Sequence, residues 1–303
     1  MTSAPVRDPL ADHLITPQNA ALLLIDYQPA QVGSVRSMDH ELLVKNAAST
    51  VRTIKAFDVP VVHSTVNVAS GQGPTIPELA GLLENDKPLD RTTVNSWEDT
   101  QFQFGELTSD DRIAAAATSL ETNGIRSVIA GSGAEARRIV RRLLPEGAEV
   151  YNNTSRTLET IEVADDIEQS GRYQPLRPRL WRMDRKMQEL EIRTLAAAPD
   201  YVVGSVHALT DGGSLLIASA SGSQLGPIVS GAAHVILVIG GQKIVTDVAA
   251  GMRRIYEYCY PLEDARARQA YGVPSGVNNV LVINRVLAPG RVTAILVKER
   301  LGF

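Results

Sequence analysis

Short apolar runs of strand length recur along the whole chain and alternate with segments of helical spacing. The runs are rich in Val, Ile and Leu, and most end in Gly, Ser, Asn or Asp, which is typical of buried strands. The predicted strands are 20–25, 59–62, 127–130, 148–151, 201–206, 215–218, 234–239, 279–283 and 292–297. The predicted helices are 41–57, 110–122, 134–144, 183–197 and 244–258.

This alternation predicts an α/β protein with one or more mostly parallel sheets flanked by helices, because such strands are buried on both faces. Between residues 201 and 239 the predicted strands follow one another with little chain between them. That spacing predicts an antiparallel excursion within the otherwise parallel architecture.

Composition excludes several classes of function. The net charge of −4 provides no basic field, so no nucleic acid is expected as a partner. The longest apolar runs fall far short of the roughly 20 residues that span a bilayer, so no membrane partner is expected. Residues 1–14 lack the apolar core of a signal peptide, and one cysteine cannot form an internal disulfide. We therefore predict a cytoplasmic protein.

A polar segment, DTQFQFGELTSDD, interrupts the strand–helix rhythm at residues 99–111. Within it, Ser109 is a candidate N-cap for the helix that follows. The sequence therefore predicts two parts, residues 1–105 and residues 106–303.

In the first part, the strand ALLLI delivers Asp26 at its carboxyl end, and the segment LDRTTVNSWED contains Arg91. A carboxylate at a strand end is a candidate general base, although Asp26 could instead cap a loop or helix. The order of these segments, from about Asp8 to Asp99, resembles the isochorismatase-like cysteine hydrolases. The resemblance implies a flavodoxin-like fold, with Asp26 as acid/base and Arg91 where members carry Lys or Arg.

The nucleophilic cysteine of that family is missing from the corresponding segment of this sequence. The analogous segment, RSVIAGSGAEARRIV, places Arg137 at or near the cysteine position, and no cysteine lies nearby. Arginine cannot act as a nucleophile, and Ser132 is only a weak hydroxyl substitute. Asp26 and Arg91 are therefore interpreted as vestigial candidates for a catalytic site.

In the second part, three predicted strands end in small polar residues. Such ends expose backbone N–H groups that suit a phosphate or carboxylate, and a lysine adds a point charge. Tight turns after strands require the same small residues, so each loop alone is weak support. The predicted ligand-binding residues are Asn153, Thr154, Ser155, Gly222, Ser223, Gln224, Gly241, Gln242 and Lys243.

Segments such as NNTSRTLETI, GAAHVILVIGGQKIVTD and PGRVTAILVKERLGF resemble the LUD family of lactate-utilization proteins, from about Ser109 to Phe303. The resemblance implies a fold like the NagB/RpiA/CoA-transferase superfamily, which binds sugar phosphates and acyl-CoA thioesters. It also implies a connection with lactate oxidation beside iron–sulfur partner proteins. This chain lacks the cysteines for such a cluster, and no cofactor is expected.

The single cysteine, Cys259, is predicted near a helix C-terminus, where the helix dipole opposes thiolate formation. His207 and His234 have no carboxylate or histidine at metal-ligand spacing. We therefore predict packed histidines, a structural cysteine and no metal site.

Three hypotheses follow. The first is a LUD-type protein that binds a small anionic metabolite or assists 2-hydroxy-acid utilization. The second, disfavoured by the missing nucleophile, is an isochorismatase-like hydrolase. The third is a recombined or engineered chimera without its own activity, in which the N-terminal strands could extend the LUD sheet. Half of a doubly wound domain leaves an unpaired sheet edge, which favours docking or a homo-oligomer.

Overall fold

The computed structural model describes residues 15–17, 20–184 and 186–303. Residues 1–14, on which the expectation of no signal peptide depends and in which the resemblance begins, lie outside the described residues. The chain divides into two compact units, 1–99 and 100–303. The boundary between the units lies before the predicted boundary at 105/106, because Phe104 packs with Ile255 and Tyr258 of the C-terminal unit.

The N-terminal unit contains one parallel sheet of order β1-β2-β3. Leu24 of the sheet packs with Val51 and Leu79 of two helices. The longest helix begins after Asp39, whose carboxylate accepts a hydrogen bond from Leu42 N at 2.9 Å. The elements are β1 (Leu22–Ile25), α1 (Pro29–Ser34), α2 (His40–Ala56), β2 (Val61–Val66), α3 (Pro77–Ala80) and β3 (Leu89–Arg91).

The C-terminal unit contains two sheets. The helices are α4 (Thr100–Phe104), α5 (Asp110–Thr122), α6 (Gly133–Leu143), α7 (Arg156–Thr160), α8 (Val163–Gln169), α9 (Leu176–Arg182), α10 (Glu189–Ala197), α11 (Val248–Arg253) and α12 (Tyr260–Tyr271). The strands are β4 (Arg126–Ala130), β5 (Glu149–Asn152), β6 (Gln174–Pro175), β7 (Tyr201–Gly204), β8 (Ala208–Thr210), β9 (Leu215–Ser219), β10 (His234–Gly240), β11 (Ile244–Val245), β12 (Asn279–Ile283) and β13 (Val292–Val297).

The larger sheet has six parallel strands in the order β4-β13-β10-β7-β5-β6. The smaller has the order β11-β8-β9-β12, and both pairs that involve β9 are antiparallel. The α/β class with mostly parallel sheets is confirmed, and so is the antiparallel excursion after residue 201. The strands β1 and β4 belong to different sheets.

Alternate residues of β10 face opposite sides of the larger sheet, as the two-residue period of a strand requires. Leu237 packs in one cluster with Ile113 of α5, and Val238 packs in another with Ile139 of α6. All four side chains are buried. Helices therefore cover one face of this strand, and helices together with the smaller sheet cover the other. Because both faces are buried, the strand is an unbroken run of Val, Ile and Leu.

Two of the predicted helices are wrong at their N-terminal ends. The segment predicted as 183–197 becomes an α-helix only at Glu189. The segment predicted as 244–258 begins as β11, turns helical at Val248 and is π-helical over Arg254–Cys259. Four strands of two or three residues were not predicted, because such short segments show no measurable periodicity.

Arg137, the position that replaces the family's cysteine, belongs to an ion cluster on the C-terminal unit. Its guanidinium and that of Arg141 each donate two hydrogen bonds to Asp166, at 2.5–2.7 Å, and Arg137 also bonds to Glu162. Ser132 is the N-cap of α6. Arg137 and Ser132 thus both have structural contacts in the folded chain.

We expect Asp166 to stabilise the fold against acid. Hydrogen bonds from Arg137 and Arg141 lower its pKa to about 2 despite opposing burial. Because the folded pKa is depressed, this stabilisation is present above pH 4 and is lost as the pH falls through 2. Discounted for the exposure of the arginines, it is about 1–2 kcal/mol. In urea unfolding, Asp166→Asn should lose this pH dependence, and Asp165→Asn, on the exposed side of α8, should keep it.

Candidate functional site

A cavity of about 390 Å³ opens in the C-terminal unit where parallel strands of the larger sheet end. The chain after β5, β7 and β10 contributes to its wall, together with the loop after β9 and residues of α12. Ligands of open parallel sheets bind at such carboxyl ends. The residues of the lining with polar or titratable side chains include Asn153, Thr157, Ser205, His207, Lys243 and Cys259.

Lys243 is buried in this cavity wall, with 2% of its surface exposed. Its Nζ donates hydrogen bonds to Thr157 Oγ1 at 2.9 Å, to Ser205 Oγ at 3.1 Å and to Val206 O at 3.1 Å. The hydroxyls of Thr157 and Ser205 donate onward to backbone carbonyls. Three acceptors match the three N–H groups of a protonated lysine, so the hydrogen bonds of the ammonium form are satisfied.

Among the described residues, the charge of Lys243 has no counter-ion. Burial, assisted by the positive charge of Arg254, lowers the pKa of Lys243 to about 7. Within the described ranges, no carboxylate forms a salt bridge with either cation. Arg254 is fully buried, donates to the carbonyl of His207 and to Cys259 Sγ at 3.0 Å, and has no partner at Nη2. Buried cations are normally paired, so Lys243, which lines the cavity with Arg254 behind it, indicates a place for an anion.

His207 is a neutral hydrogen-bond donor. Its Nδ1 lies 3.1 Å from the backbone N of Ala218. A backbone N–H only donates, so Nδ1 accepts and the proton of the neutral ring is on Nε2. Burial, Lys243 and Arg254 lower the pKa of His207 to about 3. Among the described residues, Nε2 has no protein partner.

Asn153 is 4% exposed, yet neither its amide oxygen nor its amide nitrogen has a partner in the described chain. Its backbone N donates to Val203 O at 2.9 Å, which anchors the residue beside β7. A Cβ at Gly204 would lie 2.5 Å from Asn153 Nδ2, so the glycine leaves room for this side chain. Because an unpaired buried amide costs about 1–3 kcal/mol, its retention indicates a ligand contact.

Six of the nine predicted ligand-binding residues line the cavity. They are Asn153, Thr154, Ser155, Ser223, Gln224 and Lys243. Ser155 also caps α7 by accepting from Leu158 N at 3.5 Å. Gln224 Nε2 donates to Ala218 O at 2.9 Å. The structure thus brings residues from three of the predicted loops together around one cavity.

The other three predicted residues lie away from the cavity lining. Gly222 has a φ of 77° and forms the turn after β9. Gly241 is packed against apolar side chains, and Gln242 donates to the carbonyls of Leu301 and Gly302. No helix begins after this loop, because a short 3₁₀ turn leads into β11. Its glycines therefore serve close packing, and only Lys243 enters the site.

Sequence reasoning missed four residues of the site. Ser205 follows the small-residue strand end at Gly204, and the rule applied to the other loops would have found it. Thr157 lies inside the segment that was already singled out. His207 was assigned a packing role only, and Arg254 lies within a helix with no local signal for its burial.

The prediction that Cys259 lies near a helix C-terminus is wrong, because the helical chain continues directly into α12. Cys259 is 1% exposed and accepts a hydrogen bond from Arg254. Burial raises the pKa of its thiol. The thiol form is thus favoured, through desolvation instead of the helix dipole. His234 stacks on Tyr201, with 4.8 Å between ring centroids.

In the N-terminal unit, Asp26 and Arg91 form one buried ion pair. The two guanidinium Nη atoms lie 2.7 and 2.6 Å from the two carboxylate oxygens. Arg91, whose side chain is fully buried, also donates to Ser64 Oγ at 2.6 Å and to the carbonyls of Thr65 and Val94. The geometry gives Asp26 a clear structural partner.

No group of three or more His, Cys, Asp or Glu side chains in the described ranges could hold a metal ion. Across the same residues, no helix has the length and apolar character to cross a membrane.

The family model of the LUD domain matches residues 113–297, more than half of the chain. The chain belongs to the LUD domain family. The match runs from α5 to the last residue of β13 and includes every residue that contacts Lys243 Nζ. The cavity is therefore a feature of the LUD domain of this protein.

Two solved structures are similar to this LUD-domain protein. One is a DUF162 family protein from Deinococcus radiodurans, with 13% identity, a TM-score of 0.40 and coverage of 63% of this chain and 99% of the other. The second is the YcaC gene product of Escherichia coli, described as an octameric hydrolase of unknown specificity. It has 19% identity, a TM-score of 0.28 and coverage of 57% and 79%. No curated protein sequence matches the chain.

Proposed function

We propose that this LUD-domain protein binds a small anionic metabolite in the cavity of its C-terminal unit. The observation that carries the proposal is Lys243, a buried cation with three hydrogen-bond acceptors and no salt bridge to a carboxylate of the described chain. A bound carboxylate or phosphate would supply the missing negative charge. It would also meet the N–H of His207 and the amide of Asn153, which have no protein partners in the described residues.

A small 2-hydroxy acid such as lactate fits these groups. Its carboxylate would face Lys243 and His207, and its hydroxyl can both donate to and accept from the unpartnered amide of Asn153. The metabolic setting that we propose is an accessory role in lactate or 2-hydroxy-acid utilization. This setting rests on the family to which the chain belongs, and the cavity chemistry supports only the anionic class.

The test is isothermal calorimetry with lactate, coenzyme A and glucose 6-phosphate at pH 6.5, where Lys243 is charged. We expect heat from at least one anion, and Lys243→Met should weaken its binding by on the order of 10–100-fold, as loss of a charged partner costs about 1.5–3 kcal/mol. Lys298→Met is the matched control, because Lys298 pairs with Asp110 outside the cavity lining. Absence of heat from all three anions would refute the proposal.

For the N-terminal part we propose an isochorismatase-like segment, residues 1–105, fused to the LUD domain and lacking its nucleophile. The support is the sequence order around Asp26 and Arg91, together with the parallel sheet of that unit. Hydrolase activity stays a prediction that an amide and isochorismate panel tests, since turnover must disappear in Asp26→Ala. A homo-oligomer and a cytoplasmic location also stay proposals, and light scattering checks the first.

A further inference from the structure

Lys243 differs from every other lysine of the chain. All six lysines lie in the described ranges, and the other five are exposed or partly exposed, whereas Lys243 is buried. The three groups that contact its Nζ all line the cavity, so the amine lies at the cavity wall. A lysine that is desolvated beside a second cation is the arrangement that makes an amine nucleophilic, and Arg254 supplies that cation.

The described neighbours of Nζ are acceptors for its hydrogens. Val206 O is a pure acceptor, and the hydroxyl hydrogens of Thr157 and Ser205 point to the carbonyls of Leu301 and Val238. No described neighbour therefore donates to Nζ. When the ammonium loses one proton, its lone pair would face one of these acceptors, and a turn about the Cδ–Cε bond of Lys243 directs it into the cavity instead.

We propose that Lys243 forms an imine with a small oxo acid, a ligand that carries a ketone carbonyl next to a carboxylate. The inference rests on the proposed function, because the anion-binding groups must hold the carboxylate. The carbonyl meets the free amine, and the carboxylate meets the N–H of His207 and the amide of Asn153. The unpartnered polar atoms and the nucleophile thus match the two halves of one ligand.

The step balances without an oxidant or a metal. The lone pair of Nζ forms a bond to the carbonyl carbon, and the carbon–oxygen π pair moves to oxygen, which takes up a proton. Nζ releases a proton to give the carbinolamine, the hydroxyl leaves as water after a second protonation, and the nitrogen lone pair forms the C=N bond. Release of the remaining proton from nitrogen gives the neutral imine and returns the second proton. The hydroxyls of Ser205 and Thr157, already bonded to Nζ, are placed to carry these protons. The products are one imine and one water.

The experiment incubates the full-length protein with pyruvate as the probe and reduces the mixture with sodium cyanoborohydride. We expect the intact mass to increase by one reduced pyruvyl group, and peptide mapping should place it on Lys243. Lactate, which has the same carboxylate but no carbonyl, should suppress labelling by competition. Lys243→Arg, which keeps the cation but cannot form the imine, should lose the label, while Lys298→Arg should keep it.

The outcomes separate this inference from the proposed function. If pyruvate gives calorimetric heat but no adduct, the imine is refuted and anion binding stands. If the label falls on surface lysines and persists in Lys243→Arg, the imine is again refuted. If neither pyruvate nor any other anion binds, both proposals fail. Because mapping and lactate competition use the wild-type protein, the test does not depend on the folding of the variant.

Discussion

Replacement of Asp26 with alanine is expected to lower the stability of the N-terminal unit by about 3–5 kcal/mol. The carboxylate is the bidentate partner of Arg91, whose side chain is completely buried. Without Asp26, a buried guanidinium would keep its charge without a counter-ion. The side chain of Asp26 is 19% exposed, so water can replace only part of the lost interaction.

The measurement is hydrogen exchange of the β1 and β2 amides in the full-length chain, which reports the opening free energy of this unit. Asp26→Asn is a control that retains a side chain tolerant of the positive φ of 58° but removes the charge. The double variant Asp26→Ala/Arg91→Met should recover much of the loss, because it removes the stranded charge. Additive effects of the two single substitutions would contradict the ion-pair explanation.

Replacement of Lys243 with methionine is expected to stabilise the protein at pH 6–7 by about 1–3 kcal/mol, although it should weaken ligand binding by on the order of 10–100-fold. The folded pKa of about 7 lies well below the ordinary value of 10.5, so the fold opposes the charged form. Loss of the three hydrogen bonds from Nζ offsets part of this gain. A buried charge that lowers the stability of the fold is typical of a functional site.

The sign of the pH dependence is fixed by the direction of the pKa shift. Between pH 7 and 10.5 the unfolded chain holds a proton on Lys243 that the folded chain has released, so wild-type stability rises with pH. The advantage of Lys243→Met should therefore shrink by about 1.4 kcal/mol per pH unit above pH 7. Urea unfolding of both proteins at pH 6.5 and 9 measures this difference. A constant difference would show that Lys243 has an ordinary pKa in the folded state.

Much of the fold could be predicted because strands and helices of this protein carry local signals. The helix over 110–122 has the predicted bounds, and its predicted cap, Ser109, accepts from Arg112 N at 3.3 Å. The shortest strands and the π-helical turn at Arg254–Cys259 have no such signal, because they are formed by pairing and packing with distant segments.

Local signals in the sequence also pointed to some residues of the candidate site. Small polar residues after predicted strands pointed to Asn153, Ser223 and Lys243, and the structure places all three in the cavity lining. Gln242, from the same predicted loop as Lys243, lies outside the cavity lining and donates to the carbonyls of Leu301 and Gly302. Residue type alone does not show which way a side chain points.

By itself, the sequence determined the α/β class, the order of its elements and the loops that carry polar groups, because hydrophobic period and turn chemistry act over a few residues. Only the tertiary structure decided what those groups do. Thr157 and Ser205 come to Lys243 from 86 and 38 residues away in the chain, and Arg91 meets Asp26 across 65 residues. Burial and the absence of a counter-ion are properties of the packed chain, and they turn an ordinary lysine into the centre of a candidate site.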